Sequence, residues 1–252
     1  MTVIIGWKCS NGVVMGADSA ATLGVLGEKT VQEMVSKLAI VKDKLILGVS
    51  GPISLAQRYQ GHLENMPTGG FNSLTTSAIH SAMTQLSGIF WGYTKDEYER
   101  AGLVSQAIGN RAPLVHALHH TLVAVRIHGE DRLIQFSETC APEEATADLP
   151  YVSIGSGQRN ADPFLAFLRN LFWKGAIPTL DGGIFATLWT LRECIRSSPG
   201  GVGGPPKLAL LEHGNARMLE DDDLQEHEGA IEEARRTLGR FREDLEPPPA
   251  GG

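Results

Sequence analysis

The chain has 252 residues, of which 42% are hydrophobic and 20% charged, as is typical of a globular protein with a sizeable core. Its formal net charge of −7 argues against nucleic-acid binding, because neutralising phosphates needs a basic surface. Without an apolar run of about 18 residues or a signal-peptide pattern, and with three unpatterned cysteines, the chain is predicted to be cytoplasmic, without membrane contact and without disulfides.

The first half of the chain reads as two strand pairs followed by helices. Apolar runs at 2–9 and 13–18 flank Asn11-Gly12, which is the strongest short hairpin signal. A second pair is predicted at 37–41 and 45–50, and a longer connecting segment joins the two pairs. Pro52 is predicted to start a helix. Apolar residues three or four apart then predict one long helix over 73–98, and whether it continues into 99–119, which Gly109 and Pro113 interrupt, is left open.

The second half repeats this order. Strands are predicted at 121–128, 132–137 and 151–154, helices at 161–173 and 182–197, and strands again at 207–212 and 216–219. Strands and helix pairs in this alternation predict an α+β fold, a four-layer αββα sandwich of two antiparallel sheets between helix layers.

The last residues differ from the rest. From Leu224, apolar residues recur every seven positions, through Ile231 and Leu238, up to the prolines at 247–249. We predict a domain over 1–219, followed by a C-terminal amphipathic helix and tail over 220–252 that docks on its own domain or on a neighbouring subunit. The acidic run at 220–223 suits a helix N-terminus, with a metal site as the alternative.

Thr2 has two readings. It is an ordinary strand residue, since threonine favours strands. It is also the residue exposed when an initiator methionine is removed, and its hydroxyl and free α-amine would then lie on one residue. An α-amine with a pKa of about 7.7–8.0 is well suited to activate a hydroxyl nucleophile at neutral pH.

The residues around Thr2 favour the second reading. The stretch TVIIGWKCSNGVVMGADSAATLG, followed by KLAIVKDKLILGVSG and the later SIGSG, resembles proteasome β-type subunits and the related HslV peptidases, and Ala21–Gly24 (ATLG) is particularly similar to HslV. The resemblance covers roughly residues 2–60 and 150–212. It implies the N-terminal-nucleophile (Ntn) hydrolase fold. The family's motif positions are filled here by Thr2, Asp18-Ser19, Lys37, Ser50-Gly51 and Ser156.

The resemblance implies a role for each of these residues. Thr2 Oγ would attack the scissile carbonyl, with its own amine as the base. Lys37, oriented by Asp18, would lower the pKa of the hydroxyl and stabilise developing negative charge. The backbone N–H of Gly51 would bind the oxyanion, and Ser156 would hold the amine and a water.

A substrate site follows from the same resemblance. Thr22 and Gly51 would pair with an extended peptide by β-augmentation. A pocket for apolar side chains would be lined by Ala21, Val35, Val49 and Ile53. This chemistry needs neither metal nor cofactor. His116, His119 and His120 have a spacing that suits a metal on a helix, but a structural role is favoured because they have no evident acidic or cysteine partner.

The function implied is that of a threonine endopeptidase in a self-compartmentalising ring. Such rings contain six or seven subunits and stack, act on peptides or unfolded proteins, and work with an ATP-dependent unfoldase. Two alternatives stay open, a non-catalytic ring scaffold and a small-molecule amidase. Three departures from the family bear on them: a longer Asp18–Lys37 gap, Ala20 in place of a polar residue, and no clear second acid and serine, for which Glu193 and Ser197 are the nearest candidates.

Overall fold

Two five-stranded antiparallel sheets form the centre of the computed structural model. It describes residues 2–25, 28–197 and 201–245, without the side chains of 22–25, 28–33 and 242–245. The first sheet has the order β10-β1-β2-β11-β12, with β1 Ile4–Cys9, β2 Gly12–Ala17, β10 Tyr151–Ile154, β11 Lys207–Glu212 and β12 Asn215–Met218. The second has the order β5-β6-β7-β8-β9, with β5 Leu38–Val41, β6 Leu45–Ser50, β7 His120–Ile127, β8 Glu130–Phe136 and β9 Pro142–Glu144.

The described helices follow three of the strands. Four follow β6, namely α1 Ile53–Asn65, α2 Thr68–Thr76, α3 Ile79–Ile108 and α4 Ala112–His116. Two follow β10, namely α5 Gln158–Trp173 and α6 Leu180–Ser197, and α7 Asp221–Leu245 follows β12. Within the part of the chain that the structure describes, no helix combines the length and the hydropathy needed to cross a membrane.

The core consists of three clusters of buried side chains, one between the two sheets and one between each sheet and its helices. Because successive side chains of a strand point to opposite faces, Ile4 faces the second sheet while Ile5 faces the helices. Inward residues of both sheets meet between them, as Met15 and Leu122 do. The outer face of the first sheet packs on α5, α6 and α7, and that of the second packs on α1, α2 and α3. The predicted four-layer αββα sandwich is therefore confirmed.

Three local predictions differ from the structure. The connecting segment between the first two strand pairs contains a two-stranded ribbon, in which β3 Ala20–Val25 pairs with β4 Glu28–Met34. The predicted long helix is two helices, because Ser77 and Ala78 are extended and the Ser77 N–H bonds back to the Ser73 carbonyl at the end of α2. Helix α3 then runs ten residues past the predicted end and stops at Gly109, which adopts φ 64°.

Helix α7 docks on its own domain through its first half. Leu224 and Ile231 are buried in the core cluster that includes α6. Two ion pairs, Arg192 with Glu228 and Arg235 with Glu193, join α6 to α7. In the acidic run, Asp223 accepts the N–H of Glu220 at 2.8 Å, so this residue supports the capping reading. The separation of 220–252 from the preceding domain stays a prediction.

Candidate active site

Thr2, the first described residue, is hydrogen-bonded through both its backbone nitrogen and its carbonyl. The backbone nitrogen of Thr2 donates to Ser156 Oγ at 3.1 Å, and its carbonyl accepts the N–H of Gly157 at 3.1 Å. The N–H of Val3 donates to the Asp18 carboxylate at 2.9 Å. Strand β1 therefore starts in a fixed position between the end of β2 and the turn after β10.

Asp18 and Lys37 form a buried ion pair beside this start. Lys37 Nζ lies 2.7 and 2.8 Å from the two carboxylate oxygens, and the side chains are 0% and 9% exposed respectively. The carboxylate also accepts the N–H of Val3 and, at 3.2 Å, that of Gly203. These bonds satisfy both carboxylate oxygens, which compensates for their removal from water. Burial lowers the pKa of Lys37, while the hydrogen bond and charge of Asp18 oppose the shift.

The strand register explains why these side chains meet. Ile4 pairs with Ala17, so the next pair outward brings Val3 opposite Asp18 at the end of the first sheet. Lys37 directly precedes β5, which begins at the same end of the second sheet. The sequence motif therefore becomes a site because both sheets present their equivalent ends to one another.

The turn between β10 and α5 needs its glycines. Gly155 adopts φ 95°, and a Cβ there would lie 2.3 Å from the Thr2 carbonyl oxygen and 2.9 Å from Ser50 Oγ. A Cβ on Gly157 would lie 2.6 Å from Val3 Cβ. The turn thus approaches the N-terminal strand more closely than a side chain would allow, which brings Ser156 to the Thr2 nitrogen.

Gly51 lies over a buried histidine. It adopts φ 146°, and a Cβ there would lie 2.5 Å from His119 Cβ. His119 is 1% exposed, and its Nε2 lies 3.0 Å from the Tyr59 hydroxyl and 3.3 Å from Thr94 Oγ1. The three side chains form a polar cluster inside the helix layer on α1 and α3. Through His119, this cluster packs against the backbone at Gly51.

His119 gives the protein a specific acid sensitivity. Burial lowers its pKa from 6.5 to about 4. The unfolded chain therefore binds a proton at a higher pH than the folded chain does. The free energy of unfolding has its full value above pH 6.5, and it decreases as the pH falls towards 4. We expect a loss of about 3 kcal/mol in the free energy of unfolding over this window.

Urea unfolding of the wild type and of His119→Gln between pH 7 and pH 4 measures this effect. Carboxylates titrate in the same range, so the difference between the two proteins is the quantity to compare. The wild type should lose more stability than the variant on acidification. Parallel curves would show that His119 does not cause the acid sensitivity.

A cavity of about 530 Å³ opens beside Thr2 and Lys37. Of the residues predicted for substrate binding, Ala21, Val35, Val49, Gly51 and Ile53 line it, and the side chain of Thr22 lies outside the described residues. Gln57 and Gln60 also line it and were missed. They follow Ile53 at the helical spacing of four and seven residues, so the predicted helix from Pro52 already placed them on the same face.

The other candidates lie elsewhere. Glu193 binds Arg196 and Arg235, and Ser197 Oγ donates to the Glu193 carbonyl at 2.7 Å. Both line a separate shallow groove that the Thr2 cavity does not include. The structure therefore does not bring the two nearest candidates for the second acid and serine to Thr2.

Neither Cys9, considered as another nucleophile, nor the three histidines of the possible metal site line the cavity. Burial raises the pKa of Cys9 to about 12, which leaves its thiol protonated. His116 ends α4, His119 is buried in the polar cluster and His120, at the start of β7, lies 3.1 Å from Glu138. The three histidines do not share one helix. Among the described residues, no group of three or more potential ligands is placed to hold a metal ion.

Solved structures of Anbu proteins superpose on nearly the whole length of the chain. An Anbu (ancestral beta-subunit) protein from Yersinia bercovieri superposes with a TM-score of 0.69 at 17% identity, over 99% of this chain and 100% of that chain. Anbu from Hyphomicrobium sp. strain MC1 gives 0.67 at 17%, over 98% and 100%. Anbu from Pseudomonas aeruginosa, described as a helical assembly of the Anbu complex, gives 0.67 at 18%, over 98% of each chain. The chain has the Anbu fold.

This finding corrects the sequence-based identification. Anbu proteins are proteasome-like but form a distinct family, so the assignment to proteasome β-subunit homologues or to HslV is wrong. No family model matches the chain, and no curated protein matches it. The quoted motifs cluster at the ends of strands around one site, and the HslV-like residues 21–24 lie in the β3–β4 ribbon. The Anbu likeness also spans α2, α3, α4 and α7, which the motifs did not cover.

Proposed function

We propose that this chain is a threonine peptidase with Thr2 as its N-terminal nucleophile, acting as a subunit of a proteasome-like homo-oligomer. One observation carries the proposal. The Thr2 nitrogen is held by Ser156 Oγ at 3.1 Å at the mouth of a cavity that the buried, Asp18-paired Lys37 also lines. This arrangement gathers a hydroxyl, its neighbouring nitrogen and a buried cation at one point. Such a group suits acyl transfer by an N-terminal nucleophile.

The reaction would proceed through an ester. After Met1 is removed, the α-amine of Thr2 takes the hydroxyl proton, directly or through a water, as Oγ attacks the peptide carbonyl. The ammonium of Lys37 stabilises the developing negative charge at Oγ. The backbone N–H of Gly51 donates to the oxyanion. The leaving amine takes the proton, and a water then hydrolyses the ester to release the acid and restore Thr2.

Substrate preference follows from the walls of the cavity. Several of the side chains that line the cavity are apolar, among them Ala21, Val49 and Ile53. Gln57 and Gln60 bring amide groups to the cavity further along α1, and Gln60 Nε2 already donates to Glu64 at 2.7 Å. A side chain that is apolar near the scissile bond is therefore preferred. This supports an extended peptide as the substrate more than a small polar amide.

Oligomer formation is supported by the Anbu fold and by the surface. The Anbu complex of Pseudomonas aeruginosa forms a helical assembly. Here α7 leaves Leu238 and Phe241 45% and 61% exposed, and α5 exposes Phe167 and Phe172 by 48% and 43%. Apolar side chains this exposed on two helices suit contacts between copies. Ring size, stacking and an unfoldase partner stay predictions.

A non-catalytic scaffold is the second candidate, and one observation favours it. The described loop after α6, residues 201–206, reaches Asp18 only through the backbone N–H of Gly203 and contains no acidic residue. An assembly of such subunits would keep the fold without cutting peptides. Chemical labelling of Thr2 separates the two candidates.

The test combines intact mass with an epoxyketone, an electrophile that needs both the hydroxyl and the free amine. We expect purified protein to lack Met1 and to gain the mass of one inhibitor per chain, mapped to Thr2 by peptide sequencing. Thr2→Ala, which keeps a small residue for methionine removal, should form no adduct. Thr2→Ser keeps both groups and should still react. A chain without Met1 that gains no mass would refute the peptidase and favour the scaffold.

A further inference from the structure

A carboxylate outside the cavity bridges the turn that carries Ser156. The Ser153 hydroxyl donates to one oxygen of Asp162, and Gln158 Nε2 donates to the other at 3.1 Å. Ser153 belongs to β10, before the turn, and Gln158 is the first residue of α5, after it. Asp162, one turn further along α5, therefore ties both ends of the turn together.

The turn between these two anchors makes the contacts that fix the N-terminus. Ser156 Oγ accepts from the Thr2 nitrogen, and the N–H of Gly157 donates to the Thr2 carbonyl. The segment starts at Gly155, which adopts φ 95°, and a glycine leaves the backbone more conformational freedom than any other residue. A turn that starts on a glycine keeps one orientation only if both of its ends are held.

The environment of Asp162 argues against an ion-pairing role. No described lysine, arginine or histidine lies within ion-pair distance of its carboxylate. Ser153, its partner, is 1% exposed at a position that pairs with Ile5 of β1. An apolar side chain would pack at such a buried strand position without needing a carboxylate. The hydroxyl and the carboxylate therefore serve each other.

We propose that Asp162 is a positioning residue for the nucleophile: by bridging Ser153 and Gln158 it holds the 155–157 turn so that Ser156 and Gly157 fix Thr2. The proposal rests on the proposed function of Thr2 as nucleophile. Asp162 acts through the turn and does not contact the reacting atoms. It is thus an acid that supports the site from the first turns of α5, and no motif in the sequence pointed to it.

Kinetics of epoxyketone labelling on the full chain test this role. Asp162→Ala should lower the maximal rate constant of adduct formation at Thr2 by about tenfold or more, because the turn no longer fixes the position of the Thr2 amine. The inhibitor concentration at half-maximal rate should stay unchanged, since the cavity is built from other residues. Asp162→Asn keeps an oxygen for Ser153 and loses the acceptor for Gln158, so it should retain an intermediate rate.

Asp131 provides a matched control. Its carboxylate also ties two segments, accepting from Arg126 at 3.1 Å and from the N–H of Gly214 at 3.0 Å, but at the opposite end of the sheets. Asp131→Ala should lose stability without changing the labelling rate. An equal rate loss in Asp131→Ala and Asp162→Ala would mean that general destabilisation is the cause, which overturns the proposal.

The remaining outcomes are also decisive. If wild-type protein reacts and both Asp162 variants react at the wild-type rate, the positioning role is wrong while the peptidase stands. If wild-type protein does not react, the proposed function fails, and amide hydrogen exchange decides the structural part. Asp162→Ala should then speed exchange of the Gly157 N–H, and Asp131→Ala should not. Unchanged exchange at Gly157 would overturn the bridging role itself.

Discussion

Replacing Lys37 with methionine is expected to destabilise the protein by about 3–5 kcal/mol and to slow labelling of Thr2 by about 10²–10³-fold. The methionine side chain is similar in length, so the change removes the charge with little change in volume. The Asp18 carboxylate, 0% exposed, would keep its two backbone donors and lose its only described cationic partner. A buried carboxylate without a counter-charge is costly, which sets the size of the effect. Urea unfolding and labelling kinetics at pH 7 measure the two losses.

A double variant separates the charge from the packing. Asp18→Asn/Lys37→Met leaves no buried charge and should be more stable than Lys37→Met alone, although it should label no faster. Recovery of stability without recovery of reactivity would show that the pair contributes a cation to the site. If Lys37→Met unfolds like the wild type and labels at its rate, the ion pair has neither role.

Replacing Gly155 with alanine is expected to reduce labelling by about 10²-fold, because a displacement of about 1 Å at a reacting group has an effect of that size. The new Cβ would lie 2.3 Å from the Thr2 carbonyl oxygen, so the turn and the N-terminal strand must separate. Since both contacts of Thr2 run through this turn, the separation moves its amine. The rate constant of adduct formation is the measurement.

Gly129→Ala is the matched control for backbone strain. Gly129 adopts φ 84°, close to the 95° of Gly155, but an added Cβ there meets nothing within 4 Å. Both variants therefore force alanine into a conformation that costs about 1–3 kcal/mol. Only Gly155→Ala should also lose reactivity. If both substitutions lower the labelling rate equally, or if neither lowers it, the close approach at Gly155 is not the cause.

Much of the fold was accessible from local patterns. Strand alternation and the Asn11-Gly12 turn predict the hairpin that begins the first sheet, and the order of strands and helix pairs predicts the layers. The end of the α2 helix was not accessible, because Ser77 and Ala78 carry no strong helix-breaking signal. The β3–β4 ribbon was missed as well, since 20–36 shows no regular alternation.

The site divides in the same way. The sequence by itself determined which residue types stand at the ends of strands: a threonine at the second position, an aspartate after β2, a lysine before β5 and a glycine after β6. It did so because short motifs are local and strand ends follow from alternation. It also suggested the wrong family, because motifs at one site are few and are shared among proteasome-like proteins.

The family resemblance implied that Asp18 orients Lys37, whereas only the tertiary structure decided how the two meet and which distant groups support them. Asp18 and Lys37 reach one another because two separate sheets present their ends at one place. The donor Gly203 and the bridging Asp162 lie 185 and 160 residues from the groups they serve, Asp18 and Thr2. Such contacts depend on sheet register and helix packing across the whole chain, and no local pattern in the sequence encodes them.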